Sequence, residues 1–130
     1  MNNLTLHIGE VLILSRAEVQ LEAFIDNRKI VQKGCVFLTN KRLIHESDKE
    51  EEILFELLLE NIEEEEFVQP IFRANFLTGM ALPTENVANK IRWTLSFYNG
   101  TSTFINCFFI ALKQSRTSKH SVSNLSLIHI

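Results

Sequence analysis

Apolar and polar residues alternate along several parts of the chain, as they do in strands with one buried face. The alternation is clearest over residues 91–98, where Ile, Trp, Leu and Phe occupy every second position, and it recurs over residues 19–26. Successive side chains of a strand point to opposite faces, so this period of two predicts a strand in both segments. Asn99–Gly100 lies between the strand predicted over residues 91–98 and the β-forming residues at 101–104. This arrangement predicts a hairpin with a type I′ turn.

A second predicted hairpin surrounds a short turn at Asn40–Lys41. Residues 34–39 and 43–45 are rich in β-forming side chains, and residues 26–29 form a polar turn before them. Pro70 lacks a backbone N–H and predicts a strand end or a sheet edge after the Glu-rich residues 62–69. Residues 72–76 alternate again. The Leu-rich residues 53–61 fit either a helix or a strand buried on both faces, and periodicity does not decide between them.

A change of period near residue 106 predicts one helix. Asn106 can cap a helix over about 107–114 that places Phe108, Ala111 and Leu112 on one face. Five Ser residues between 115 and 126 predict disorder over 115–130. The last six residues do not resemble the end of a domain, and we expect the native C-terminus to be missing. The whole pattern predicts one mostly β domain, residues 1–114, that ends in a helix.

The composition is that of an ordinary globular domain, with 45% apolar and 22% charged residues among 130. The net charge is −3, yet residues 46–66 contain 11 of the 16 acids and one Lys. This run predicts either a solvated acidic edge or two oppositely charged faces that associate weakly and separate in high salt. The negative net charge gives no reason to expect direct nucleic-acid binding.

No motif for catalysis or for metal binding is present. The chain lacks a P-loop, a GxGxxG, an HExxH and a CxxC, and its four His are scattered. Buried, inert thiols are the expected state of Cys35 and Cys107, and the acids 63–66 are expected to be solvated. Trp93 and the ten Phe are expected in the core. We therefore expect a protein that is not an enzyme and holds no cofactor.

Two segments together resemble a known family. Residues 34–44, Gly-Cys-Val-Phe-Leu-Thr-Asn-Lys-Arg-Leu-Ile, are similar to the signature hairpin of GRAM domains. Residues 69–79, Gln-Pro-Ile-Phe-Arg-Ala-Asn-Phe-Leu-Thr-Gly, resemble a Q-P-[VI]-F-G-A-N-[YF]-[IL]-x-G stretch of the WW-domain-binding protein 2 family. Residues matching these motifs, which we expect to be structural, are Gly34, Leu38, Thr39, Gln69, Pro70, Phe72, Ala74, Asn75 and Gly79.

The resemblance implies a pleckstrin-homology-like (PH-like) fold, a seven-stranded bent β-barrel capped by a C-terminal helix, and it favours a strand over residues 53–61. Arg73 stands where the family has Gly, and the loop 83–89 lacks the usual Gly-rich character. The family's Pro-rich tail carries PPxY motifs that bind WW domains. This chain has only Pro70 and Pro83, so it binds WW domains in that way only if such a tail exists beyond it.

The family implies a cytoplasmic and nuclear adaptor that assists transcription factors, including nuclear receptors. The alternative is a module that binds phosphoinositide membranes through basic loops. Candidate lipid- or anion-binding residues are Arg28, Lys29 and Lys33 in one loop and Lys41 and Arg42 in a turn. These clusters are smaller than the 4–8 cations of typical lipid-reading patches. A small-ligand barrel ranks last, because ten Phe are expected to fill the interior.

Overall fold

Seven antiparallel strands and one C-terminal helix make up this computed structural model, which describes residues 4–49, 54–83 and 87–128, with side chains as far as Ser118. The predicted mostly β fold with a terminal helix is confirmed. In chain order the elements are β1 (Leu12–Ile25), β2 (Arg28–Thr39), β3 (Arg42–Ser47), β4 (Phe55–Leu58), a 3₁₀ turn (Leu59–Asn61), β5 (Ile62–Val68), β6 (Asn75–Ala81), β7 (Ile91–Phe97) and α1 (Ser102–Ile128).

The strands form one sheet in the order β4-β3-β2-β1-β7-β6-β5. β1 is 14 residues long, pairs with β2 almost throughout, and pairs with β7 only from Val19 to Phe24. Its register shifts between Arg16 and Val19, where Glu18 has a φ of 57°. A β-bulge increases local twist and bends a strand. This bulge bends β1 so that it pairs with β2 on one side and, in its second half, with β7 on the other. The sheet thereby curls into a half-barrel.

Helix α1 closes the sheet with an apolar face. Phe104, Phe108 and Leu112 are fully buried, and the Phe108 ring meets the Trp93 ring edge-on at 6.5 Å between centroids. Burying a Phe or Leu side chain contributes about 1.5–3 kcal/mol. The buried positions recur at the spacing of a helix that faces a core, as predicted for Phe108, Ala111 and Leu112.

The predicted hairpin at Asn99–Gly100 is wrong, because a helix follows this turn instead of a strand. Gly100 has a φ of 72°, as a turn requires, but the Ile105 N–H already donates to the Thr101 carbonyl. The helix therefore begins at Ser102, before the predicted start near Asn106. It continues past residue 114 to Ile128, so the expected disorder is wrong for the backbone of 115–128; residues 129–130 lie outside the described part.

The middle of the chain contains a strand where the family resemblance favoured one. The ambiguous residues 53–61 form β4 and the 3₁₀ turn, with residue 53 itself outside the described part, and β5 ends before Pro70. The alternation over 72–76 does not form a strand throughout, because β6 begins only at Asn75. The expectation that all ten Phe lie in the core is wrong for three of them: Phe72, Phe24 and Phe109 are exposed.

Candidate functional site

The expected basic loop at residues 28–33 is a strand. Arg28, Lys29 and Lys33 all lie in β2, on its exposed side or at its start. The Lys29 ammonium lies 3.6 Å from the Glu22 carboxylate and 5.4 Å from the centroid of the Phe24 ring. Extended strand spacing spreads the three charges along β2, and one of them is already paired. This geometry disfavours a compact phosphate-binding cluster.

Arg42 is buried, which contradicts its assignment to an exposed anion-binding turn. Its Nε and Nη2 atoms donate to the two carboxylate oxygens of Glu10, each at 2.7 Å. Its Nη1 donates to Glu56 at 2.6 Å, and the Thr39 hydroxyl donates to Glu10 at 2.6 Å. We call Glu10, Thr39 and Arg42 the N-terminal clamp. The guanidinium already binds an anion, and that anion is the chain's own carboxylate.

The clamp fastens residues 5–11 to the turn between β2 and β3. The Asn40 side chain accepts from the Val11 N–H at 2.7 Å and donates to the Gly9 carbonyl at 3.1 Å, while Arg42 also donates to the Thr5 carbonyl at 2.8 Å. Hydrogen bonds from Arg42 and Thr39 lower the pKa of Glu10 to about 2 against the opposing effect of burial. Lys41 is exposed and lies 3.4 Å from the Ile8 carbonyl.

The other motif residues divide into a buried and an exposed group. A Cβ on Gly34 would lie 1.9 Å from the Glu46 carbonyl oxygen, and one on Gly79 would lie 2.9 Å from the Trp93 ring, so both glycines permit close packing. Asn75 donates to the Thr101 hydroxyl at 3.4 Å. Leu38 and Thr39 are also buried, whereas the remaining motif residues, Gln69, Pro70, Phe72 and Ala74, are partly or fully exposed.

The exposed motif segment forms an apolar and cationic surface. Ile71 is 88% exposed and Phe72 is 96% exposed. Arg73 lies with its guanidinium 5.3 Å from the centroid of the Phe76 ring, and it lines, with Tyr98, a depression of about 250 Å³. We call Ile71, Phe72, Arg73, Phe76 and Tyr98 the β5–β6 surface. This surface was not predicted from the sequence, because the alternation around Phe72 indicated a half-buried strand.

Several acids of residues 46–66 are paired with bases in the part of the chain that the structure describes. Three ion pairs each join an acid of residues 46–66 to a base elsewhere in the chain: Glu56 to Arg42, Glu63 to Lys90 and Glu65 to Arg116. The Arg116 hydrogen bonds also lower the pKa of Glu65. Charge that is segregated along the sequence is thus partly neutralised in the fold.

Catalytic and metal-binding chemistry gains no support from the described residues. Among them no three His, Cys, Asp or Glu side chains are arranged to hold a metal ion. Burial raises the pKa of the half-buried Cys35 thiol, with Asp48 and Glu46 adding to the effect, and this disfavours the reactive thiolate. Over the same residues, the chain contains no helix with the length and apolar character needed to span a bilayer.

Comparison with known proteins identifies the fold. No protein-family model and no curated protein matches the chain. Among solved structures it is similar to the Vps36 N-terminal PH domain, with a TM-score of 0.69 and 22% sequence identity over 87% of this chain and 86% of that one. The chain therefore has a PH-like fold, as the resemblance implied.

Proposed function

We propose that this PH-like domain is a non-enzymatic protein-interaction module that binds its partner through the β5–β6 surface. The observation that carries the proposal is the nearly complete exposure of Ile71 and Phe72, two large apolar side chains in adjacent positions of one loop. Large apolar side chains that are exposed together, next to a cation and an aromatic ring, are typical of protein-binding sites.

The composition of the surface supports a protein partner. Aromatic residues and Arg are enriched where partners lose the most water, and this surface offers Phe72, Tyr98 and Arg73. β6 holds one end of the loop, because Leu77 is buried and Gly79 packs against Trp93. One end of the loop is thus anchored in the sheet, and an anchored loop loses less entropy on binding than a free one.

The resemblance to the WW-domain-binding protein 2 family supports a more specific role. In that role the chain is the folded part of an adaptor for transcription factors or nuclear receptors, in the cytoplasm and the nucleus. The most specific part of the resemblance, residues 69–79, includes the exposed half of the β5–β6 surface. Partner binding through this surface needs no PPxY motif, so it does not depend on a Pro-rich tail.

The test compares matched variants of the chain as affinity baits in cell extract. Phe72→Ser removes the most exposed ring of the surface, and Ile8→Ser removes a fully exposed apolar residue of the N-terminal segment. We expect at least one protein to be captured by the native chain and by Ile8→Ser, and lost with Phe72→Ser. Equal capture by all three baits, all with native melting curves, would contradict the proposed surface.

Phosphoinositide binding is a second candidate, favoured by the exposure of Arg28 and Lys33 and by the absence of an ion pair between either one and a described residue. Its test is sedimentation with vesicles that contain phosphatidylinositol phosphates. Binding that is lost in the double variant Arg28→Glu, Lys33→Glu and kept in Phe72→Ser would favour the lipid over the protein partner.

A further inference from the structure

The link between β7 and α1 contains an asparagine followed directly by a glycine. Asn99 is the only Asn in the sequence that Gly follows, and the pair lies in the short link 98–101, after the last residue of β7 and before Ser102 of α1. In such a pair the glycine nitrogen is close to the Asn side-chain amide carbon, and glycine has no side chain that obstructs their approach. The pair is therefore a candidate for a reaction between its own two residues.

Both groups that would react are exposed, and neither is held by the fold. Asn99 and Gly100 are exposed to solvent, and a Cβ placed on Gly100 would meet no described atom within 4 Å outside the adjacent residues. Neither the Asn99 side chain nor the Gly100 N–H makes a hydrogen bond to any residue that the structure describes. Solvent therefore reaches the Gly100 nitrogen, and the Asn99 side chain is able to rotate toward it.

Asn40, in the turn between β2 and β3, shows the opposite situation. Its side chain accepts a hydrogen bond from the Val11 N–H at 2.7 Å and donates one to the Gly9 carbonyl at 3.1 Å. The N–H of the following residue, Lys41, donates to the Thr39 hydroxyl at 3.1 Å. Other partners hold both groups that would have to react, so the fold protects this asparagine, in contrast to the one between β7 and α1.

We propose that Asn99 is a site of spontaneous modification, at which the side-chain amide becomes a carboxylate through a cyclic imide. The Gly100 nitrogen loses its proton to a base in the solvent, and its electron pair forms a bond to the Asn99 Cγ. The bond from Cγ to the side-chain nitrogen then breaks, and that nitrogen takes up a proton and leaves as ammonia. Water opens the imide at either carbonyl and gives Asp or isoaspartate. The reaction thus consumes one water and releases one ammonia, and because it joins adjacent residues it needs no catalyst.

Either product places a negative charge beside Tyr98, a residue of the β5–β6 surface. The reaction itself does not depend on the proposed function, because it needs only the Asn-Gly pair and water.

The two products differ in the length of the main chain between β7 and α1. In isoaspartate the main chain runs through the side-chain carbons, which adds one atom to the link. Packing fixes both ends of the link, because the Phe97 and Phe104 rings lie 5.4 Å apart between centroids and Phe104 is fully buried. Closely packed interiors resist such a shift, so we expect isoaspartate at position 99 to lower the melting temperature. Asp at this exposed position should leave it nearly unchanged.

Incubation of the folded full chain in neutral buffer, followed by tryptic digestion and tandem mass spectrometry, tests the site. Trypsin gives one peptide, residues 93–113, that contains Asn99 together with Asn106 of α1, and another, residues 34–41, that contains Asn40. We expect the mass change from an amino to a hydroxyl group to accumulate at Asn99 over an unincubated sample, well ahead of the other two positions. Accumulation at Asn40 or Asn106 that equals that at Asn99 would overturn the proposal.

A free peptide with the sequence of residues 96–103 shows whether the fold leaves Asn99 reactive. We expect the rate at Asn99 in the folded chain to lie within about tenfold of the rate in the peptide, and a larger reduction, equal to an added barrier of more than about 1.4 kcal/mol, would overturn the proposal.

Two variants at position 99 complete the test. Asn99→Gln has a longer side chain that would require a larger ring, so we expect the mass change to disappear from residues 93–113, and its persistence would also overturn the proposal. Asn99→Asp carries the new charge without the added main-chain atom. We expect the incubated chain that contains isoaspartate to melt below Asn99→Asp, and equal melting temperatures would contradict the expected effect on stability.

Discussion

Replacement of Glu10 by Gln is expected to remove much of the domain's loss of stability in acid. The native carboxylate is buried, accepts two hydrogen bonds from Arg42 and one from Thr39, and has its pKa lowered from 4.5 to about 2. Each unit between the native and the unfolded pKa corresponds to about 1.4 kcal/mol, so the N-terminal clamp contributes about 3 kcal/mol to the free energy of unfolding at neutral pH.

The direction of the change in stability with pH follows from the lowered pKa of Glu10. Its contribution is complete above about pH 5, where the carboxylate is charged in both states, and it is lost as the pH falls through about 2. About 2 kcal/mol of it is already gone at pH 3. Gln is neutral at every pH, so Glu10→Gln starts less stable at pH 7 and converges with the native chain in acid.

The assay is urea denaturation of both chains at several values between pH 7 and pH 3, with the difference in unfolding free energy plotted against pH. Glu22→Gln is the matched control, because Glu22 belongs to an exposed ion pair that contributes about 1 kcal/mol or less. If the native chain and Glu10→Gln lose stability in parallel from pH 7 to pH 3, the ionised Glu10 carboxylate does not stabilise the folded state.

Three further substitutions separate the core from the surface. Gly34→Ala is expected to cost more than about 2 kcal/mol in chemical denaturation, because its Cβ meets the backbone of β3; a cost below about 0.5 kcal/mol would contradict the close approach. Phe108→Asp buries an uncompensated charge and should abolish folding, so soluble protein that melts cooperatively would contradict the helix placement. Phe72→Ser should change the free energy of unfolding by about 0.5 kcal/mol or less, since the ring is 96% exposed, and a larger loss would place it in the core.

The pattern of apolar and polar residues was sufficient to predict an element where its burial follows a regular local alternation. The strict alternation of residues 91–97 corresponds to β7, in which Ile91, Trp93, Leu95 and Phe97 are all buried. At Asn99–Gly100 the sequence correctly predicted a turn, but it wrongly predicted that a strand follows, where the structure has helix α1. Phe104 and Ile105 start the buried helical face four and three residues before Phe108, and this helical period outweighs the β propensity of the Thr residues at 101 and 103.

Long-range partners explain what the sequence did not reveal at the candidate site. Arg42 looks like an exposed turn cation until Glu10, 32 residues away, is placed against it. Phe72 looks like a core residue until the fold shows that β6 begins three residues later, at Asn75. Neighbouring residues indicate neither the burial of Arg42 nor the exposure of Phe72. The first depends on the path of the N-terminal segment, and the second depends on where the loop ends and β6 begins.

Photo-cross-linking at position 72 tests the central claim most directly. The full chain carries benzoylphenylalanine in place of Phe72, or in place of Ile8 as an equally exposed control, and is irradiated in cells. The proposed function predicts a discrete cross-linked protein partner from position 72 that position 8 does not give. Cross-links from both positions alike, or from position 8 alone, would contradict a binding role for the β5–β6 surface.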